Sequence, residues 1–436
     1  MNCAVKDSYL NNIFWKNPEN INTEYVHKAK VNKTPVYIDP LFSENEELRD
    51  FLETNLVTII TPDSIEAVQS KVKKDNIRIL QSPYENWRVL ESDKKIIIDW
   101  VEYTVVIKWV WTTGYYRETG AIDPWMSFSG YSMREDEKES LKSFPFYEEA
   151  GIYDMDKALL ELERSKALQE IWVDTERVLW IYELEEVLWE DWKYISIEEL
   201  ETNEIISKWL KPVILIRAHK TNLRLLDYIM LDKYDRKESI TPLVDYVLEE
   251  SEKYWWTENI SQYLEKLIET ILVNRLNLIS KYSTLNWEFW KDVFRNFSAF
   301  WEELDLWTMI PMNNDSCFTN PNYFKDHYKR EILTVFTGFN QIIKVIEKNT
   351  NHKIDHKQLA DKVFNVIVTW IKTNKDELEN YYRDNNWNKW ESNEKYNFNN
   401  FLYWFFKSCF SIVLDYMNSH EYTNILEKKV KWILGD

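Results

Sequence analysis

Lys108, Glu161, Arg217, Arg224, Asn296 and Asp305 are the residues of this 436-residue chain whose types and spacing could do chemistry together. Lys108 closes a β-rich run, and a strand-end lysine ahead of a tight turn is a common way to meet nucleotide phosphates. Glu161 follows on a predicted helix, placed to pair with that lysine. Arg217 and Arg224 sit seven apart after a strand-like run, and guanidinium forks suit phosphate oxygens. Asn296 and Asp305, in NFSAFWEELD, offer a hard oxygen pair for magnesium. The set points to a nucleotide bound with a divalent metal. His352 and His356, four apart in HKIDH, could share a helix face as metal ligands, but the start of a solvated helix explains them as well. There is no Gly-x-x-x-x-Gly-Lys loop, no His-Glu-x-x-His and no Gly-x-Ser-x-Gly elbow.

The elements that must hold these side chains can be read from periodicity. Alternating and β-branched runs predict strands over 88–90, 95–99 and 103–108, then over 178–184 and 213–216. Residues 113–150 read as a loop. Leu159, Leu160, Leu162, Ala167, Leu168 and Ile171 recur at helical spacing over 156–171, with Asp154 or Asp156 as the cap. From Pro242 onward the pattern is helical, over 243–248, 260–279, 332–346, 358–372 and 399–417. A β-rich first half and a helical second half make an α+β layout in two lobes. The expected divisions are an extension over 1–80, an N-lobe over 81–235 and a helical C-lobe over 236–436.

Composition excludes several function classes. With 54 Lys+Arg against 73 Asp+Glu the net charge is -19, so no basic excess exists to displace counterions from nucleic acid. Cys3, Cys317 and Cys409 form neither a zinc spacing nor a disulfide framework, which suits a reducing cytosol. The first residues lack the basic-then-apolar order of a signal peptide. The most apolar stretch, 401–414, is broken by Lys407 and too short to span a bilayer. A soluble cytoplasmic protein is expected, with no membrane and no nucleic acid among its partners.

Glycine is the anomaly. The chain has 6 Gly and 22 Trp, where about 7% glycine would give roughly 30. Several tryptophans stand where glycine would be needed. In KIIIDWVEYTVVI a tight hairpin at Asp99-Trp100 wants Asp-Gly, because its central residues need positive φ. Glu190-Asp191-Trp192-Lys193 repeats the pattern. The 156–171 helix runs out at Trp172, where a left-handed C-terminal residue is usually glycine. Trp255-Trp256 falls in the loop-like KYWWTEN. The expectation is that the source reads UGA as glycine and that many of these codons are rendered here as Trp.

In order and spacing these segments resemble the selenoprotein O family, kinase-like proteins that transfer AMP from ATP to protein hydroxyls. The family's Gly-Arg and, twenty residues on, Lys-Gly-x-Gly are similar to Trp87-Arg88 and Lys108-Trp109-Val110-Trp111. Its Arg-Glu-Phe-Leu-x-Ser-Glu-Ala-Met helix and Leu-Gly-Ile-x-Thr-x-Arg resemble the runs 161–168 and 171–177. Its Arg-Val-Ala-Pro-Ser-x-Ile-Arg resembles 217–224, and its Asn-x-Ser-x-x-Gly-x-x-Ile-Asp-x-Gly resembles 296–307. Family glycines fall on Trp87, Trp109, Trp111, Trp172, Trp301 and Trp307. The resemblance covers roughly residues 80–310. It implies a two-lobed protein-kinase-like fold, with Lys108 holding ATP phosphates and Glu161 orienting it. Arg88, Arg217, Arg224 and Asp305 would contact the nucleotide, Asn296 and Asp305 would bind magnesium, and the partners would be proteins offering Ser, Thr or Tyr hydroxyls.

The chain departs from the family in three ways. The catalytic aspartate that precedes the metal asparagine is here Arg295, and a guanidinium cannot act as a general base near neutral pH. Asp292 is the carboxylate that could take the role if the loop is reshaped. Glu118-Thr119-Gly120 is only an approximate counterpart of the family's Asp-Gly nucleotide contact. About thirty extra residues separate Lys108 from Glu161. Two other readings stand beside the transferase: a catalytically impaired nucleotide-binding pseudokinase acting as a regulatory or interaction module, and an aromatic-rich binding protein that stacks exposed Trp on sugars or partner surfaces.

Overall fold

The computed structural model describes residues 3–7, 25–29, 32–43, 58–60, 72–78, 89–108, 153–188, 194–203, 210–221, 223–233, 240–279, 297–300 and 338–384, with a few isolated positions between. The chain is mixed α+β and divides into two compact units. One comprises 1–168 and 175–223, the other 169–174 and 224–436.

The first unit is built on a seven-stranded antiparallel sheet. Its strands run in the order Cys3–Asp7, Val89–Ile98, Val101–Lys108, Pro212–His219, Arg177–Leu184 and Lys33–Ile38, with the short Tyr153–Asp154 strand paired to the start of Pro212–His219. Pro212–His219 is buried along its whole length because it has neighbours on both sides, which explains its nearly continuous apolar run. Ile96, Val106, Leu179, Trp180, Ile181 and Leu215 form the core. Both edges come from the N-terminal stretch: Cys3–Asp7 pairs with Val89–Ile98, and Lys33–Ile38 pairs with Arg177–Leu184. Pro35, which has no N–H to donate, fits an edge strand. A separate three-stranded sheet joins Tyr25–Ala29, Thr58–Ile60 and Val72–Arg78.

The second unit is helical, with Leu225–Lys233, Ile240–Trp255, Ile260–Ile279, 338–349 and His356–Asp384. Leu243, Val247, Leu264, Ile268 and Ile271 are buried at helical spacing. The helices expected over 243–248, 260–279 and 358–372 are present. The one expected over 399–417 and the loop expected over 113–150 lie outside the described residues.

Four non-glycine residues have positive φ among the described residues: Asp99 at 50°, Trp100 at 72°, Trp172 at 59° and Trp256 at 56°. Each sits at a turn that needs this backbone. Ile98 pairs with Val101, so Asp99-Trp100 is a two-residue hairpin loop with both central residues left-handed. The Met155–Glu170 helix ends with the Trp172 N–H bonded to the Gln169 carbonyl, and Ile240–Trp255 ends with the Trp256 N–H bonded to Glu252. Both are left-handed C-terminal closures. Trp100, Trp172 and Trp256 are 83%, 90% and 86% exposed. Trp180, by contrast, is 1% exposed and stacks on Tyr182. Trp255 packs against Tyr263 and Phe300. Glu186–Leu188 and Tyr194–Ser196 pair antiparallel, and Trp192 lies outside the described residues.

Candidate functional site

Lys108 ends its strand in the middle of the sheet, opposite Leu215 on one side and Val89 on the other. Directly opposed residues share a face of a sheet. Arg217 lies opposite Val106 and Tyr153 opposite Val213, so Lys108, Arg217 and Tyr153 occupy the same face as Leu215. The Met155–Glu170 helix buries Ala158, Glu161, Arg164, Ser165 and Leu168. Asp154 directly precedes its first residue, the position expected of the cap, and the Met155 N–H bonds the Lys211 carbonyl.

Across this face Lys108 Nζ donates to Glu161 Oε1 at 2.5 Å, with both side chains buried. The Tyr153 hydroxyl donates to the same oxygen at 2.5 Å, and the Lys108 ammonium stands 4.8 Å from the centre of the Tyr153 ring. Glu161 Oε2 is buried without a hydrogen-bond partner. Arg217 is fully buried and pairs with Glu176, also fully buried, while Ser165 donates to the Glu176 carbonyl. Buried ion pairs roughly break even against apolar packing, so two of them on one sheet are poorly explained by stability.

Lys157 stands one helical turn before Glu161. Burial, and next the charge of Lys108, pull its pKa from 10.5 to about 8, with Glu161 opposing. The folded chain therefore releases this proton at lower pH than the unfolded chain does. Between about pH 8 and 10.5 the unfolded state binds more protons, so this position adds stability as pH rises. Lys157→Met should stabilise the chain at pH 7, with the gain shrinking towards pH 10 in urea titrations. An equal gain at both pH values would contradict the assignment.

In the second unit Arg224 forms an isolated backbone bridge with Ser298, and the Leu225 N–H bonds the Phe297 carbonyl. Arg224 N–H donates to Asp227 Oδ2 at 2.7 Å, the reach-back bond of a capping box at the start of the Leu225–Lys233 helix. Ser298 organises the next turn. Its hydroxyl accepts from the Phe300 and Glu302 N–H groups and donates to Glu302 Oε2 at 3.0 Å. The Tyr263 hydroxyl fixes the Ala299 carbonyl at 2.7 Å. Ser298 and Glu302, both buried, thus brace the turn at 297–300.

Of the residues expected to act, Lys108, Glu161 and Arg217 lie on one buried sheet–helix face, and Arg224 lies beside Phe297 and Ser298. Arg88, Asp292, Arg295, Asn296 and Asp305 lie outside the described residues, as do Trp109 and Trp111. His352 and His356 go to different acids, Asp245 at 3.9 Å and Glu347 at 2.6 Å. Among the described residues no group of three His, Cys, Asp or Glu could hold a metal, and no helix is long and apolar enough to cross a membrane. Tyr153, Glu176, Ser298 and Glu302 were not singled out as site residues by sequence reasoning; only the position of Ser298 within the Asn-x-Ser pattern hinted at one of them. No family model matches the chain and no curated protein matches its sequence.

Proposed function

We propose that the chain is an ATP-dependent nucleotidyltransferase with a protein-kinase-like, two-lobed fold, transferring AMP to Ser, Thr or Tyr hydroxyls of other proteins. The observation that carries this reading is the Lys108–Glu161 ion pair, 53 residues apart in sequence and 2.5 Å apart in space. A strand lysine held by a helix glutamate is the arrangement phosphoryl-transfer enzymes of this kind use to place phosphates. In the reaction the acceptor oxygen bonds the α-phosphorus, the bond from that phosphorus to the bridging oxygen breaks, and pyrophosphate leaves. The hydroxyl proton needs a base, for which Asp292 is the proposed group.

Lys108 binds phosphate oxygens in this account, Glu161 orients Lys108, and Arg88 and Arg224 supply further guanidinium contacts. Arg217 carries the same assignment from the family pattern, but its charge is balanced by Glu176, so its part is the lesser one. Asn296 and Asp305 are the hard oxygen ligands proposed for magnesium, which when bound offsets charge on the phosphate oxygens.

A second reading is favoured by Arg295 in the position of the family's catalytic aspartate. In it the same site binds nucleotide without transfer and acts as a regulatory or interaction module. Incubation with α-labelled ATP and magnesium separates the two. Transfer of label to protein that disappears in Asp305→Ala is the expected result. Label that survives Asp305→Ala would overturn the site, and thermal stabilisation by ATP without label would support the second reading.

A further inference from the structure

We propose that Tyr153 is the positioning residue that holds Lys108 and Glu161 in register for the nucleotide. This rests on the nucleotide-binding reading above. Tyr153 is 1% exposed and makes two different contacts to the pair. Its hydroxyl hydrogen-bonds Glu161 Oε1, and its ring lies against the Lys108 ammonium. An O–H donor to a carboxylate is among the stronger hydrogen bonds available. Because Lys108 and Tyr153 both bond Oε1 while Oε2 has no hydrogen-bond partner, the carboxylate is pinned through one oxygen, and the ammonium is fixed in direction by the ring beneath it. The backbone is equally constrained: Tyr153 pairs with Val213 immediately before the helix that carries Glu161. A lysine that must meet a phosphate in one geometry gains from such preorganisation, because less freedom is lost on binding.

The test is the rate at which Lys108 in the full chain is acylated by an amine-reactive reagent, read by peptide mass spectrometry with and without ATP and magnesium. Lys95, buried in the adjacent strand near Glu102, is the internal reference for general opening of the sheet. Tyr153→Phe keeps the ring and removes the donor. It should raise the Lys108 rate about fivefold with Lys95 unchanged, and raise the ATP concentration needed for protection on the order of tenfold. An unchanged Lys108 rate, or an equal rise at Lys95, would overturn the proposal. If ATP fails to protect Lys108 in the chain carrying glycine at 109 and 111 while Tyr153→Phe still releases it, the nucleotide reading fails and the role of Tyr153 in holding the pair stands.

A different observation carries a second inference: the structure assigns glycine to positions 100, 172 and 256 of the natural protein and true tryptophan to 180 and 255. Three Trp in left-handed backbone, each with its indole in solvent, combine an unfavourable conformation with no packing in return. Trp180 and Trp255 have ordinary backbone and aromatic partners. The adjacent pair Trp255-Trp256 divides sharply, so neighbouring codons should differ, UGG at 255 and UGA at 256. Peptide sequencing by mass spectrometry of protein from its natural source should find glycine at the three left-handed positions and tryptophan at the two packed ones. Tryptophan at any of the three would overturn the assignment.

Discussion

Glycine in place of Trp100, Trp172 and Trp256 is expected to stabilise the chain by roughly 0.5–1 kcal/mol at each position, about 2 kcal/mol for the three. The left-handed region costs an L-residue roughly 1–2 kcal/mol, and glycine returns about half of that through its larger unfolded-state entropy. Nothing is lost from packing, because the indoles are almost fully exposed. Trp180→Gly should act in the opposite direction and cost roughly 3–5 kcal/mol, since it empties a core position stacked on Tyr182. Urea titrations read both signs. Alanine at 100, 172 and 256 is the control, because it removes the indole but keeps Cβ in the left-handed region. If alanine stabilises as well as glycine does, the gain comes from the lost aromatic surface and the backbone argument is wrong.

The second large effect concerns Lys108. Lys108→Met alone leaves Glu161 buried without its charged partner and should cost roughly 3–5 kcal/mol of stability. A double change to Lys108→Met with Glu161→Leu removes both charges and should recover most of that loss. It should not recover ATP binding, which we expect to fall on the order of 100-fold with the phosphate contact gone. Stability and binding therefore separate in the double variant. Recovery of both together would mean that the pair only holds the sheet.

The parts of this molecule legible in the sequence are those governed by local rules. The Asp99-Trp100 hairpin could be read because two β-rich runs leave only two residues to turn in, and the helix end at Trp172 because apolar periodicity stops there. Lys108 and Glu161 were legible as partners through motif order and not through periodicity, because the expected stripe of Leu159, Leu160 and Leu162 is not the buried face, which is Ala158, Glu161, Arg164, Ser165 and Leu168. The edge strands Cys3–Asp7 and Lys33–Ile38 were not. Edge strands carry charged residues and proline and need no apolar run, so their pattern is faint. Tyr153 and Glu176 were also invisible, because their roles depend on strand register across Pro212–His219 and not on any motif. Glu176 matters most, since it changes Arg217 from a free phosphate ligand into half of a buried ion pair.

The most direct test of the account is calorimetric titration of ATP with magnesium into the full chain carrying glycine at 109 and 111, beside the chain with Trp at both. The pattern Lys108-Trp109-Val110-Trp111 puts two indoles next to the lysine in sequence, where a close approach of phosphate to backbone calls for glycine. The account predicts saturable binding to the glycine form, weaker binding to the Trp form, and loss in the folded Lys108→Met, Glu161→Leu variant. Equal affinity in all three, or no binding to the glycine form, would contradict it.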